Sequence, residues 1–117
     1  MSKRSDPART GILQGTLDLM VLQTLATMGP MHGFGLAQRI QQVSRETLYL
    51  NQGTLYPALL RLAQQGFIRS EWGASENNRR ARFYLLTKAG RKQLERATDD
   101  WRRSSEVVNR LLGEVEP

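Results

Sequence analysis

Residues 51–66 read NQGTLYPALLRLAQQG, and this stretch decides the fold because it describes a helix with two different faces. Counted from Leu55, the residues Ala58, Leu59 and Leu62 recur at three, four and seven positions, the spacing that lines one side of a helix docked on a core. Gly53, Pro57, Leu60, Arg61 and Gln64 then point the other way, on a face free of acid. Pro57 lacks an amide proton and belongs in a first turn, so regular helix is expected to start between Asn51 and Thr54, either of which can cap it. Gly66 closes it. Two strand-like runs follow at once, 67–72 and 81–86, joined by a polar, arginine-rich turn over 73–80. A short basic helix followed by such a hairpin has the pattern of a DNA-reading helix and its wing.

Upstream, residues 34–43 form an amphipathic support helix with Leu36, Ala37, Ile40 and Val43 on its core face and Gln38, Arg39, Gln41 and Gln42 off it. Residues 48–50 alternate as a short strand would. A further helix spans 16–28, capped by Thr16, with Asp18 in its first turn and Gly29-Pro30 as its stop. Leu17, Met20, Val21 and Met28 share one of its sides, while Leu19, Leu22 and Ala26 cover the other. A helix apolar all round must be covered twice, which in so small a domain calls for a second chain or a second helix layer. Residues 1–12 read as a flexible basic arm, which either brushes phosphates or does nothing.

Downstream, residues 87–112 form the longest helix, followed by a tail over 113–117. Leu94, Ala97, Thr98, Trp101, Ser105, Val108 and Leu112 form a narrow stripe on it, and Lys92, Arg96, Asp99, Arg103, Glu106 and Arg110 fill the opposite face. Leu94, Trp101 and Val108 are seven apart, the mark of a seam that seeks another helix. A partner chain is preferred to packing back on the same domain, because the 16–28 helix has a spare apolar side of its own.

Composition bounds the function. In 117 residues there is one core, and seventeen Lys plus Arg against eleven Asp plus Glu leave a net charge of +6, which favours an anionic partner. There is no cysteine, hence no disulfide framework or thiolate metal site, and a single histidine, His32, cannot make a metal site or catalytic pair and is expected at a turn or helix entry. The longest apolar run, 17–28, is too short and too polar to span a membrane, so the expectation is a soluble, cytoplasmic protein without cofactor or metal. An enzyme is disfavoured by the absence of any assembled acid-base pair, nucleophile with its base, or phosphate loop. A winged-helix module that binds protein remains the alternative, and the arginines argue against it.

The segments GTLDLMVLQTLATMGPMHGFGLAQRI, NQGTLYPALLRLAQQGFI and SENNRRARFYLLTKAGRKQL together resemble the PadR family of bacterial winged-helix transcription regulators, over about 13–112. GTLYPAL and the YxLTxxGR pattern, in this order and spacing, carry the resemblance. It implies a mainly α (α+β) winged helix-turn-helix domain over 13–86 and a dimerisation helix over 87–112. It also implies a homodimer whose last helix pairs with the partner's first, two reading helices on a palindromic operator, and in several members a ligand cavity at the dimer interface that weakens DNA binding when filled. Leu60 departs from the family pattern, standing where many relatives carry a polar or basic residue.

The expected DNA-contacting set is therefore Gln52, Gly53, Thr54, Tyr56, Leu60 and Arg61 from the reading helix, with Arg39, Arg79, Arg80 and Arg82 on phosphates. Gln52 suits adenine, Arg61 guanine or phosphate, and Leu60 a thymine methyl, with Thr54 and Tyr56 on flanking phosphates. The expected dimer and ligand set is Leu17, Met20, Val21, Leu94, Ala97, Trp101, Ser105, Val108 and Leu112. Trp101 sits among small and hydroxylated neighbours, and two readings stay open for it: plain interface packing, or one wall of a gap between the two copies of this region that takes a small aromatic effector.

Overall fold

The computed structural model describes residues 14–113. The chain runs through α1 (Gln14–Met28), β1 (Met31–His32), α2 (Gly33–Val43), α3 (Gln52–Gln64), β2 (Ile68–Ala74), β3 (Arg80–Leu86) and α4 (Lys88–Leu112). The three strands form one antiparallel sheet in the order β1-β3-β2, so the hairpin of β2 and β3 is anchored to the helices through β1. The expected basic arm over 1–12 lies outside the described residues, as does all of the tail after Gly113.

The helices α2, α3 and α4 each start on a side chain that satisfies an orphan amide, whereas Thr16, expected to cap α1, lies inside that helix. His32 caps α2, its Nδ1 accepting from the Gly35 amide at 3.0 Å, the helix-entry role its isolation suggested. Asn51 caps α3 by accepting from the Thr54 amide at 3.0 Å, and Gly66, at φ +82°, turns the chain out of it. Thr87 caps α4, accepting from the Gly90 amide at 2.9 Å while its hydroxyl donates to the Gly66 carbonyl at 2.7 Å. One threonine thus ties the exit of α3 to the entry of α4. Pro57 lies inside α3, beyond the first turn expected for it, where it withdraws a helical hydrogen bond from the Gly53 carbonyl.

The core is built from the buried faces of α1, α2 and α3, closed by Leu50, Ile68 and Tyr84. Leu55, Ala58, Leu59 and Leu62 are all buried, as the spacing required. Three expectations need correction. Leu17 and Val21 are core residues of this same chain, and Met20 packs against that core, so they do not form a free side for a partner. The second cover for α1 is α4, which lies along it; periodicity identified two apolar sides and could not say what covers the second. Val43, at the last turn of α2, is exposed, because the chain turns away there through Arg45 and Glu46, both at positive φ. The strand expected at 48–50 does not form, and the short strand lies at Met31–His32, pairing with Tyr84 and Phe83. Leu50 is nevertheless buried, and Leu48 packs against the core.

Candidate nucleic-acid interface

The outward faces of α2 and α3 look across an open groove at the hairpin. The groove encloses about 1230 Å³, with Phe34, Gln38, Arg39 and Gln42 from α2, Tyr56 and Leu60 from α3, and Trp72, Arg79, Arg80 and Arg82 from the hairpin. Four arginines and one carboxylate, Glu76, line it among the described residues, so its electrostatics suit an anion. Tyr56 is 50 % and Leu60 61 % exposed, each standing off the helix into this space.

The hairpin presents its arginines by register. Trp72 pairs with Arg82, Ala74 with Arg80 and Ser70 with Tyr84, so alternation brings Trp72, Arg80 and Arg82 onto one face. Tyr84 continues that face into the core, where burial raises its pKa, the nearby Tyr56 adding to the rise and Arg82 opposing it. On the reverse face Phe83 lies against Gly73, where a Cβ would stand 3.1 Å from the ring, and His32 meets Phe83 edge-on at 5.5 Å. The tip closes through the Arg79 carbonyl, which accepts from the Ser75 amide, and Asn78 at φ 59°. The strands, Ile68–Ala74 and Arg80–Leu86, run slightly further than expected, so Arg80 is a strand residue rather than a turn residue.

Of the expected contact residues, the groove gathers Arg39, Tyr56, Leu60, Arg79, Arg80 and Arg82. Gly53 is exposed and Thr54 half-buried at the first turn of α3, outside the groove wall. Gln52 turns inward: its Oε1 is buried beside Gly33 and has no hydrogen-bond partner among the described residues. Arg61 is the plainest departure from the outward face assigned to it, since its guanidinium reaches Asp18 of α1 at 2.6 Å, with both side chains partly buried. The same pair explains Asp18, which sits past the first turn of α1 and serves a tertiary contact instead of the helix dipole. Phe34 and Trp72, both exposed in the groove, were not singled out as contact residues from the sequence. Their signal is visible only once the register and the α2 start are fixed.

A second, smaller groove of about 480 Å³ runs between α1 and α4, lined by Asp18, Leu19, Leu22, Ala97, Trp101 and Ser104. Leu94 packs on the core, and Ala97 and Ser105 are half-buried. Beyond Ser105 the stripe is exposed among the described residues, with Val108 50 % and Leu112 69 % exposed, and Val107 and Leu111 exposed beside them. No helix among the described residues is long and apolar enough to cross a membrane.

Comparison with known proteins gives this arrangement a family. A transcriptional regulator from Mycobacterium tuberculosis is 37 % identical over 83 residues, covering 71 % of each chain. The solved structure of a transcriptional regulator from Clostridium thermocellum superposes with a TM-score of 0.75 at 28 % identity, covering 83 % of this chain and 93 % of that one. A PadR family transcription regulator from Clostridium difficile superposes at 0.69 with 28 % identity, covering 82 % and 97 %. The model of the transcriptional regulator PadR-like family matches residues 21–96, from the middle of α1 into α4. The chain is a winged-helix protein and belongs to the PadR-like family of transcriptional regulators.

Proposed function

We propose that the chain is a homodimeric repressor that binds a palindromic operator, with residues 13–86 as the reading module and 87–112 as the dimer helix. The observation that carries the DNA-binding part is the groove: Tyr56 and Leu60 on α3 face Arg79, Arg80 and Arg82 on the hairpin across a space that four arginines make anion-attracting. In this reading the exposed side of α3 enters the major groove, Leu60 meets a thymine methyl, Tyr56 and Thr54 hold flanking phosphates, and the wing follows the adjacent backbone. Gln52 and Arg61 then support α3 from behind, Arg61 by fixing it to α1 through Asp18. A two-fold axis sets the half-sites roughly 34 Å apart, one helical turn.

The test is selection of bound sequences from random duplex DNA, followed by salt titration of the selected site. A palindrome is expected. Arg80→Ala or Arg82→Ala should weaken binding to all duplexes alike and lower the slope of log K against log salt by roughly 0.9 per lost phosphate contact per subunit. An unchanged slope removes the wing from the binding surface.

The groove between α1 and α4 supports an effector site for a small planar aromatic compound, with the half-exposed Trp101 indole as its wall. Such a compound regulates only if it favours a spacing of reading helices that the operator fits less well, since equal affinity for both states shifts nothing. Titration of planar aromatics into a Trp72→Phe variant, in which Trp101 alone reports, should quench its emission and weaken operator binding. Quenching without loss of operator affinity leaves a pocket without regulation.

A further inference from the structure

We infer that Trp72 is a positioning residue of the wing: its indole holds the Arg80 and Arg82 guanidinium groups in a fixed array facing the groove, ready for phosphate. The inference rests on the wing lying against DNA, as proposed above. The guanidinium carbons of Arg80 and Arg82 lie over the Trp72 ring at 4.3 and 4.9 Å from its centroid, both within cation–π range. Arg82 is the direct cross-strand partner of Trp72 and Arg80 its diagonal neighbour, so one ring reaches both.

Trp72 has no duty in the core that would account for it. It is 56 % exposed, whereas the residues of the same hairpin face that reach the core are Ile68, Tyr84 and Leu86. The hairpin is braced from the other side, by Phe83 against Gly73 and His32. Neither Arg80 nor Arg82 is drawn into an ion pair among the described residues. Two arginines two residues apart on one strand repel each other, and a long side chain loses much rotamer freedom when a ligand fixes it. A ring face turned to both cations offsets the repulsion and restrains the side chains beforehand, while the N–H edges of a stacked guanidinium remain free to donate to phosphate oxygens. Pre-organisation of this kind strengthens binding without adding a contact.

That last property separates the role of Trp72 from that of the arginines it holds. Trp72→Leu keeps an apolar strand residue but removes the ring face; it should weaken operator binding by about tenfold while leaving the salt slope unchanged, because both phosphate contacts persist. Trp72→Phe restores a ring face and should bind within about threefold of the parent. Thermal unfolding of each variant should match the parent within a few degrees. Arg80→Ala is measured alongside. If Trp72→Leu binds like the parent while Arg80→Ala is weakened, or if Trp72→Leu lowers the slope, the positioning role is overturned and the wing reading stands. If Arg80→Ala and Arg82→Ala also bind like the parent, both fall together.

Discussion

Gly90→Ala is expected to lower the melting temperature by roughly 10–20 °C, an effect of about 3 kcal/mol, although alanine is the better helix former. Gly90 is the third residue of α4 and the one buried position of that helix among the described residues. A Cβ there would be driven into the backbone carbonyl of Phe67 and would stand 2.8 Å from Leu86 Cδ1. The Phe67 carbonyl cannot swing aside, because it accepts from the Thr87 amide at 3.1 Å where the wing root meets the α4 cap. Helix propensity favours alanine by about 1 kcal/mol, while a backbone clash in a packed junction costs about 1–3 kcal/mol and more when the obstacle is fixed, so the clash wins. Gly15→Ala is the control: its Cβ would meet nothing within 4 Å, and the variant should melt at or slightly above the parent. A Gly90→Ala protein as stable as the parent would mean that α4 does not seat on the wing root.

Gly90 also marks where sequence reading stops. A glycine within a helical pattern is neutral to periodicity, and the close approach that demands it comes from a residue 23 positions away in the chain, Phe67. The same limit governs Arg61, whose partner Asp18 lies 43 residues upstream. Helical spacing sets Arg61 with the outward residues of α3, and only the placement of α1 beside it turns the guanidinium to Asp18. What was legible is what local chemistry dictates. Asn51 is one of two candidate caps, Leu55 to Leu62 read as one buried face, and Arg79, Arg80 and Arg82 as a basic hairpin, whereas the cap role of Thr87 emerges only from the fold. Trp72 was legible as a strand residue but not as a neighbour of two arginines, because a shift of one residue in register would have put it on the reverse face. Leu17 and Val21 show the converse error: an apolar stripe was read as an offer to a partner when α1 is enclosed by its own chain.

In the proposed homodimer, what remains for a partner is the far half of α4, and Val108→Asp is expected to convert that dimer into a monomer. Val107, Val108, Leu111 and Leu112 form an apolar stripe on that half, all of them exposed. The helix itself does not need them covered to stay helical, since it is capped by Thr87 and Gly113 and carries the Arg110–Glu106 pair at 3.0 Å. Valine and aspartate differ little in helix propensity, so the monomer should keep its far-ultraviolet dichroism. In a two-fold interface every substitution acts twice, and two carboxylates brought into an apolar seam each lose hydration without gaining a partner, at a cost of several kcal/mol. Sedimentation at micromolar concentration should therefore move from twice the 13.3 kDa chain mass to that mass itself. Operator affinity should fall by at least about a hundredfold, because one reading helix with its wing then binds alone and loses the effective concentration its twin supplied. The surviving half-site binding should keep its sequence preference with about half the salt slope, as each phosphate contact belongs to one subunit or the other. A Val108→Asp protein that still sediments as a dimer would place the interface elsewhere and leave the exposed end of α4 without an occupant.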